Sequence, residues 1–210
     1  MDIRAEAGKG LVFEGAINYE GKERNPFNVL EYCSVTWQSK EELTGGTFWE
    51  LEATGVVPDV GGEEPAELGI GIIQPRKPNQ VLGLQVKRKR TGNMEIKLDG
   101  GDRQVFKDAK NDWIELKNVP WPTGEFKLKI EVVPEYGAAK RRTQGRFRLF
   151  LNGEEVFSKE FKDAPGERGN IFAPSKASQV LNFCLWVEGR DGAPVKQIQV
   201  KTVTLTVEAK

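Results

Sequence analysis

The feature that most constrains this chain is an alternation of apolar and polar residues with a period of two, recurring in short runs along its length. Phe126, Leu128, Ile130 and Val132 are interleaved with Lys127, Lys129 and Glu131, and Pro134 closes the run. Successive side chains of a strand point to opposite faces, so such a run builds a strand with one apolar and one polar face. Phe147, Leu149 and Leu151 repeat the pattern, then come Asn152-Gly153 and a further run, Glu154–Phe161. Asn-Gly between two alternating runs predicts a type I′ hairpin, because that turn needs positive φ at both central residues.

Further strands are expected at Gly10–Tyr19, Val29–Gln38, Thr47–Thr54, Leu68–Gln74, Val81–Lys89, Met94–Leu98, Trp113–Leu116, Gln179–Glu188 and Ile198–Val207. Turn residues separate them at Thr44–Gly46, Gly61-Gly62, Pro75–Pro78, Asp99–Asp102, Pro120–Gly124 and Asp191-Gly192. In the last strand Ile198 and Val200 fall on one parity and Val203, Leu205 and Val207 on the other, which predicts a β-bulge near Lys201 or Thr202. Sustained helical periodicity is almost absent. The expected fold class is therefore all-β, a two-sheet antiparallel β-sandwich of about a dozen strands, forming one domain over residues 1–210. Val57–Glu67 and Asp163–Ser178, rich in Gly and Pro, read as long loops, where function often sits on such a scaffold.

Composition narrows the chemistry. The chain has no histidine, which excludes an imidazole base, a Ser-His or Cys-His nucleophile and a His-ligated metal site. Lysine plus arginine and aspartate plus glutamate balance at 31 each, so no long-range field draws in phosphate backbones or anionic lipid. Neither nucleic acid nor a membrane is an expected partner. Cys33 and Cys184 lie in apolar strand-like runs and read as two buried thiols, with an inter-strand disulfide as the alternative. Residues 1–10 show neither the basic start nor the apolar stretch of a signal peptide, which leaves location open and is compatible with a secreted or surface-associated protein whose leader lies outside this chain.

From about Trp113 onward the chain resembles the concanavalin A-like lectin and glucanase superfamily, which includes laminin-G-like modules. The resemblance rests on Asp112-Trp-Ile-Glu-Leu116, on Pro122-Thr-Gly-Glu-Phe126 leading into a strand, and on Gly145–Val156 with its strand, Asn-Gly, short strand pattern. The closing strands Leu181–Glu188 and Val200–Val207 complete it. It covers about half the chain and implies a jelly-roll sandwich, a scaffold that hosts lectins, glycosidases, lyases and adhesion modules.

Members that cleave glycans place carboxylates at alternate positions of one strand. Glu50 and Glu52 have that spacing, and a pair about 5–5.5 Å apart can act as acid and nucleophile. The pattern is incomplete, since the next acidic position is taken by Gly55 or Val56. Superfamily lyases use a tyrosine with basic or amide neighbours; here Tyr19, Tyr32 and Tyr136 have no histidine to assist them.

Glycan-binding faces use aromatic rings as stacking platforms, with amides and charged groups holding the hydroxyls. Trp121, flanked by Pro120 and Pro122, is the first candidate for a displayed ring. Trp186 is the second, sharing strand parity with Asn182, Cys184 and Glu188. Trp37, Trp49 and Trp113 sit in strands and read as core. The basic runs Lys87-Arg-Lys-Arg90 and Lys140-Arg-Arg142 offer Arg88 and Arg90 as contacts for an anionic glycan, or serve as solvated edges that block sheet association. Asp99–Asp102 and Asp108–Asp112 carry oxygen ligands of the kind Ca²⁺ takes, without EF-hand spacing; turn chemistry explains them equally, and no cofactor or protein-bound metal is required.

The reading is a non-catalytic, lectin-like module whose partner is an oligosaccharide or carbohydrate polymer. Its alternatives are a glycoside hydrolase using Glu50 and Glu52, a polysaccharide lyase on the same fold, and a structural or adhesion domain, for which an extensive apolar surface would be the mark.

Overall fold

The computed structural model describes residues 1–23, 32–43, 48–57, 67–74, 77–89, 91–99, 113–122, 124–136, 142–162, 179–189, 191–192 and 194–208. Among these residues thirteen strands run in the order β1 (Asp2–Glu6), β2 (Gly10–Ala16), β3 (Ser34–Leu43), β4 (Phe48–Val57), β5 (Glu67–Gln74), β6 (Lys77–Arg88), β7 (Asn93–Asp99), β8 (Ile114–Pro120), β9 (Gly124–Tyr136), β10 (Arg142–Leu151), β11 (Glu154–Lys162), β12 (Gln179–Glu188) and β13 (Pro194–Glu208). They form a seven-stranded sheet of order β1-β2-β13-β4-β9-β10-β11 and a six-stranded sheet of order β3-β12-β5-β6-β7-β8. The pairings are antiparallel throughout. The chain crosses from one sheet to the other between β2 and β3, β3 and β4, β4 and β5, β8 and β9, β11 and β12, and β12 and β13, which gives the jelly-roll path.

Alternation explains why the sheets stack. Leu51, Ile130 and Leu149 stand in register across β4, β9 and β10, while Leu185, Ile70, Leu84 and Leu98 do so across β12, β5, β6 and β7. Both rows are buried in one apolar cluster between the sheets. Each such side chain contributes about 1.5–3 kcal/mol by leaving water, so these rows fix the register: a one-residue slip would turn a whole strand inside out.

Asn152 and Gly153 take φ of 52° and 92° in the β10–β11 turn, the conformation the hairpin reading requires. The turn is also tied to β9: the Lys127 amide donates to Asn152 Oδ1 and the Asn152 amide to the Lys127 carbonyl. The bulge in the last strand is present, with the β13–β4 register shifting between Val200 and Thr202, and a second shift between Val195 and Ile198 against β2.

Three differences from the sequence reading stand out. β1 falls outside the expected strands, because two apolar residues among charges give a weak pattern; Arg4 ties it to β2 through Glu14 at 2.7 Å. The run expected at Val29–Gln38 begins as a strand only at Ser34, with 24–31 outside the described residues. β8 continues past Leu116 to Pro120, through Asn118 at a φ of 65°. The long loops read at Val57–Glu67 and Asp163–Ser178 lie almost wholly outside the described residues, as does Lys140-Arg-Arg142 apart from the backbone of Arg142.

Candidate functional site

Among the described residues, the outward face of the six-stranded sheet brings together an aromatic ring, ammoniums, carboxylates and a buried amide. On β5, β6, β7 and β12 the inward positions belong to Leu68, Ile70, Leu84, Val86, Ile96, Leu185 and Val187, all buried in the core. Strand alternation therefore sends Glu67, Gln85, Lys87, Glu95, Trp186 and Glu188 outward. Register gathers them: Trp186, Gly69, Gln85 and Lys97 form one row across four strands. Glu188 opposes Glu67, and Lys87, Glu95 and Glu115 form a second row.

Two parts can be told apart on this face. In the first, the Gln85 side-chain amide donates to a Glu188 carboxylate oxygen, and Gln85 is only 2% exposed. Its other end, Oε1, is buried and accepts no hydrogen bond. An outward-facing buried acceptor with no donor is costly unless something supplies one.

In the second part, Lys87 Nζ sits 3.9 Å from the centroid of the half-buried Trp113 ring, immediately before β8, and 3.6 Å from Glu67 Oε1. A cation over an indole face is an electrostatic attraction that holds ring and ammonium together. Beside it, Glu115 accepts from Lys89 at 2.5 Å, Asn93 at 2.9 Å and Thr91 at 3.1 Å. These partners, Lys89 foremost, hold its carboxyl down at about 2, and Glu115 in turn raises Lys89. Glu95 stands 3.7 Å from the same ammonium. Ring, ammoniums, carboxylates and a buried amide on one rigid surface are the groups that recognise a polyhydroxylated ligand.

Of the residues expected from sequence, Trp186 and Glu188 are brought together here, and Asn182 shares their parity on β12, opposite Ile73, with its side chain outside the described set. Trp186 is not displayed, however. It is 2% exposed, its indole laid against the β5 backbone at Gly69. Trp121 is not displayed either. At 7% exposure it joins the core cluster, its amide donating to the Gly92 carbonyl, so the Pro-Trp-Pro segment turns the ring inward instead of presenting it; its indole nitrogen is buried without an acceptor.

Alternation likewise redistributes the basic run at the end of β6. Lys87 and Lys89 reach the outward face; Arg88 has the parity of Val86 and Leu84, and Arg90 lies outside the described residues. Sequence reasoning missed Gln85, Lys87 and Trp113 as a group because strand spacing alone does not say which of a tryptophan's surroundings will be polar. The signal was the alternation Leu84-Gln85-Val86-Lys87, which already put an amide and an ammonium on one face.

Glu50 and Glu52 project from the outward face of the other sheet. Glu50 Oε2 lies 3.5 Å from Lys129 Nζ and Glu52 Oε2 lies 3.0 Å from Lys127 Nζ. Lys129 also meets Glu131 at 2.6 Å, and Arg148 joins Glu131 to Glu155 at 3.0 and 2.5 Å. Apart from Lys129–Glu131, which runs along β9, these are cross-strand ion pairs of the sort that satisfy a sheet's polar face. Cys33 and Cys184 are buried thiols, and burial pushes the Cys33 thiol up. Of the aspartates considered for calcium, Asp102, Asp108 and Asp112 lie outside the described residues, and nothing is described of the Asp99 side chain.

No family model matches the chain, and no curated protein matches it in sequence. Solved structures do match in shape. The metal-free form of the Emp46p carbohydrate recognition domain superposes with a TM-score of 0.53 at 11% identity, covering 97% of this chain and 84% of its own. The alginate lyase PA1167 from Pseudomonas aeruginosa gives 0.52 at 14% identity, covering 98% and 86%. A variant of human galectin-16 gives 0.45 at 15% identity, covering 82% and 94%. At such identities the likeness concerns architecture alone, and with the strand order above it makes this chain an all-β jelly-roll sandwich of two antiparallel sheets.

Proposed function

We propose that this protein is a non-catalytic glycan-binding module, acting as one domain over residues 1–210, and that the outward face of the six-stranded sheet is its binding surface. The observation that carries the reading is the Lys87–Trp113 contact, at 3.9 Å, on the same face as the Gln85–Glu188 pair. A sugar offers an apolar ring face and a rim of hydroxyls. An indole takes the first, and carboxylates, ammoniums and an amide take the second. The carbohydrate recognition domain among the structural neighbours agrees with such a use of the fold.

A hydrolase built on Glu50 and Glu52 is less well supported, because each carboxylate is engaged by a lysine of β9. The test is a glycan array and polysaccharide pulldown with the wild type and Trp113→Ala, followed by a reducing-sugar assay on each hit. Loss of one ring contact worth about 1.4 kcal/mol lowers affinity about tenfold, within the range for aromatic stacking. Binding that falls by this amount in a folded variant, with no sugar released, supports the module. Release of sugar that disappears in Glu50→Gln or Glu52→Gln would make it a hydrolase, and binding indifferent to Trp113 would move the site elsewhere.

A further inference from the structure

We infer that Asn152 is a latent deamidation site, closed by its clamp on β9 and reactive only when the β10–β11 hairpin lifts off Lys127. Asn152 is the one asparagine of the chain that a glycine follows, and both residues of the pair are exposed. Gly153 has no Cβ, so nothing on that residue hinders its amide nitrogen from approaching the Asn152 side chain. In the reaction the Gly153 nitrogen forms a bond to Asn152 Cγ and gives up its proton, and the side-chain nitrogen takes up a proton and leaves as ammonia. Water then opens the succinimide so formed. Opening at Cγ leaves an aspartyl residue; opening at the main-chain carbonyl leaves an isoaspartyl link, with one extra methylene in the backbone. Water is the only co-reactant, and nothing is oxidised or reduced.

The folded turn holds the reacting atoms apart. Asn152 and Gly153 take φ of 52° and 92°, as a type I′ turn requires. As the mirror of type I, that turn sets ψ of its first central residue to about 30°. At this ψ the Gly153 nitrogen stands across the Cα–C bond from Cβ, whereas ring closure needs the two nearly eclipsed. Two hydrogen bonds keep Asn152 from rotating: its amide donates to the Lys127 carbonyl at 2.8 Å, and the Lys127 amide donates to Asn152 Oδ1 at 2.9 Å. The carbonyl to be attacked is thus pinned to a neighbouring strand. Attack waits for an opening that breaks both bonds, and such local openings cost less than global unfolding. The products do not fit the closed turn as well as asparagine does. An isoaspartyl link lengthens the backbone where the register allows no extra atom, and either product adds a negative charge next to Glu154 and Glu155.

The test incubates the full chain in mildly alkaline buffer and follows its tryptic peptide Leu149–Lys159 by mass spectrometry, beside the same peptide excised beforehand and kept in the same buffer. The expected result is conversion of the excised peptide to aspartyl and isoaspartyl forms, with conversion in the folded chain slower by about tenfold or more, because its rate scales with the fraction of time the turn is open. Lys127→Pro removes the amide that holds Oδ1. Both main-chain groups of Lys127 face Asn152, so this change takes no ladder bond from β4. The folded variant should deamidate about fivefold faster than the wild type, the effect of losing one hydrogen bond. Conversion in the folded wild type as fast as in the excised peptide would overturn the inference. So would an excised peptide that stays intact, or a folded Lys127→Pro that reacts no faster than the wild type. The comparison of wild type with peptide decides the question even where the proline variant does not fold.

Discussion

The indole of Trp186 lies flat against β5 at Gly69, so closely that a Cβ built on Gly69 would overlap Trp186 Cε2. The ring stands in the same cross-strand row as Gln85 and is buried within the apolar cluster although strand alternation puts it on the outward side of β12. Gly69→Ala forces the ring off that seat. Overpacking of this kind costs about 1–3 kcal/mol, which urea unfolding would register as a lowered midpoint at unchanged slope. A midpoint equal to wild type would mean the indole does not rest there.

Acid should unfold the protein partly through Glu115. Its carboxyl is held at about 2, below its ordinary 4.5, chiefly by Lys89. A carboxylate depressed on folding contributes stability that is fully present above its unfolded value and is lost as pH falls through the folded one. The loss attributable to Glu115 therefore falls between pH 4.5 and about 2. Urea midpoints measured across that window should drop more steeply for the wild type than for Glu115→Gln. Parallel curves would contradict the Lys89–Glu115 assignment.

The β10–β11 turn depends on Gly153 at a φ of 92°. A left-handed conformation costs a residue with a Cβ about 1–2 kcal/mol, so Gly153→Ala should destabilise by about that much, and Gly153→Val by more. Equal stability of the valine variant would show that the turn has another form.

Glu50 and Glu52 are on the opposite outward face from Trp113. Single replacements by glutamine should leave glycan affinity within about twofold of wild type, while Trp113→Ala lowers it about tenfold. A large loss in either glutamine variant would place the ligand on the seven-stranded sheet.

Much of the architecture was legible in the sequence because period-two alternation is a local signal that the packed sheets only ratify: Phe126 to Val132 and Phe147 to Leu151 face inward as their spacing demands. The phase change at Val200 and Val203 gave the bulge, and Asn152-Gly153 gave the hairpin. The candidate site was legible only in part. Parity grouped Trp186 with Glu188, but it could not reveal that Gly69 gives the indole a seat or that Gln85 reaches Glu188 from a strand about a hundred positions earlier, since both depend on β12 pairing with β5. Trp121 misled because flanking prolines mark a turn without saying which way the ring goes, and its amide is anchored at Gly92. Trp113 misled in the opposite sense: read as core, it is half-buried just before β8, with Lys87 over its ring.

The most direct test of the central claim is a titration of the isotope-labelled protein with its best-binding array glycan, followed by NMR. The account predicts that the first signals to move are the Trp113 indole and the amides and side chains of Gln85, Lys87 and Glu115, in one contiguous patch. Shifts confined to Glu50, Glu52, Lys129 and their neighbours on the seven-stranded sheet would contradict it.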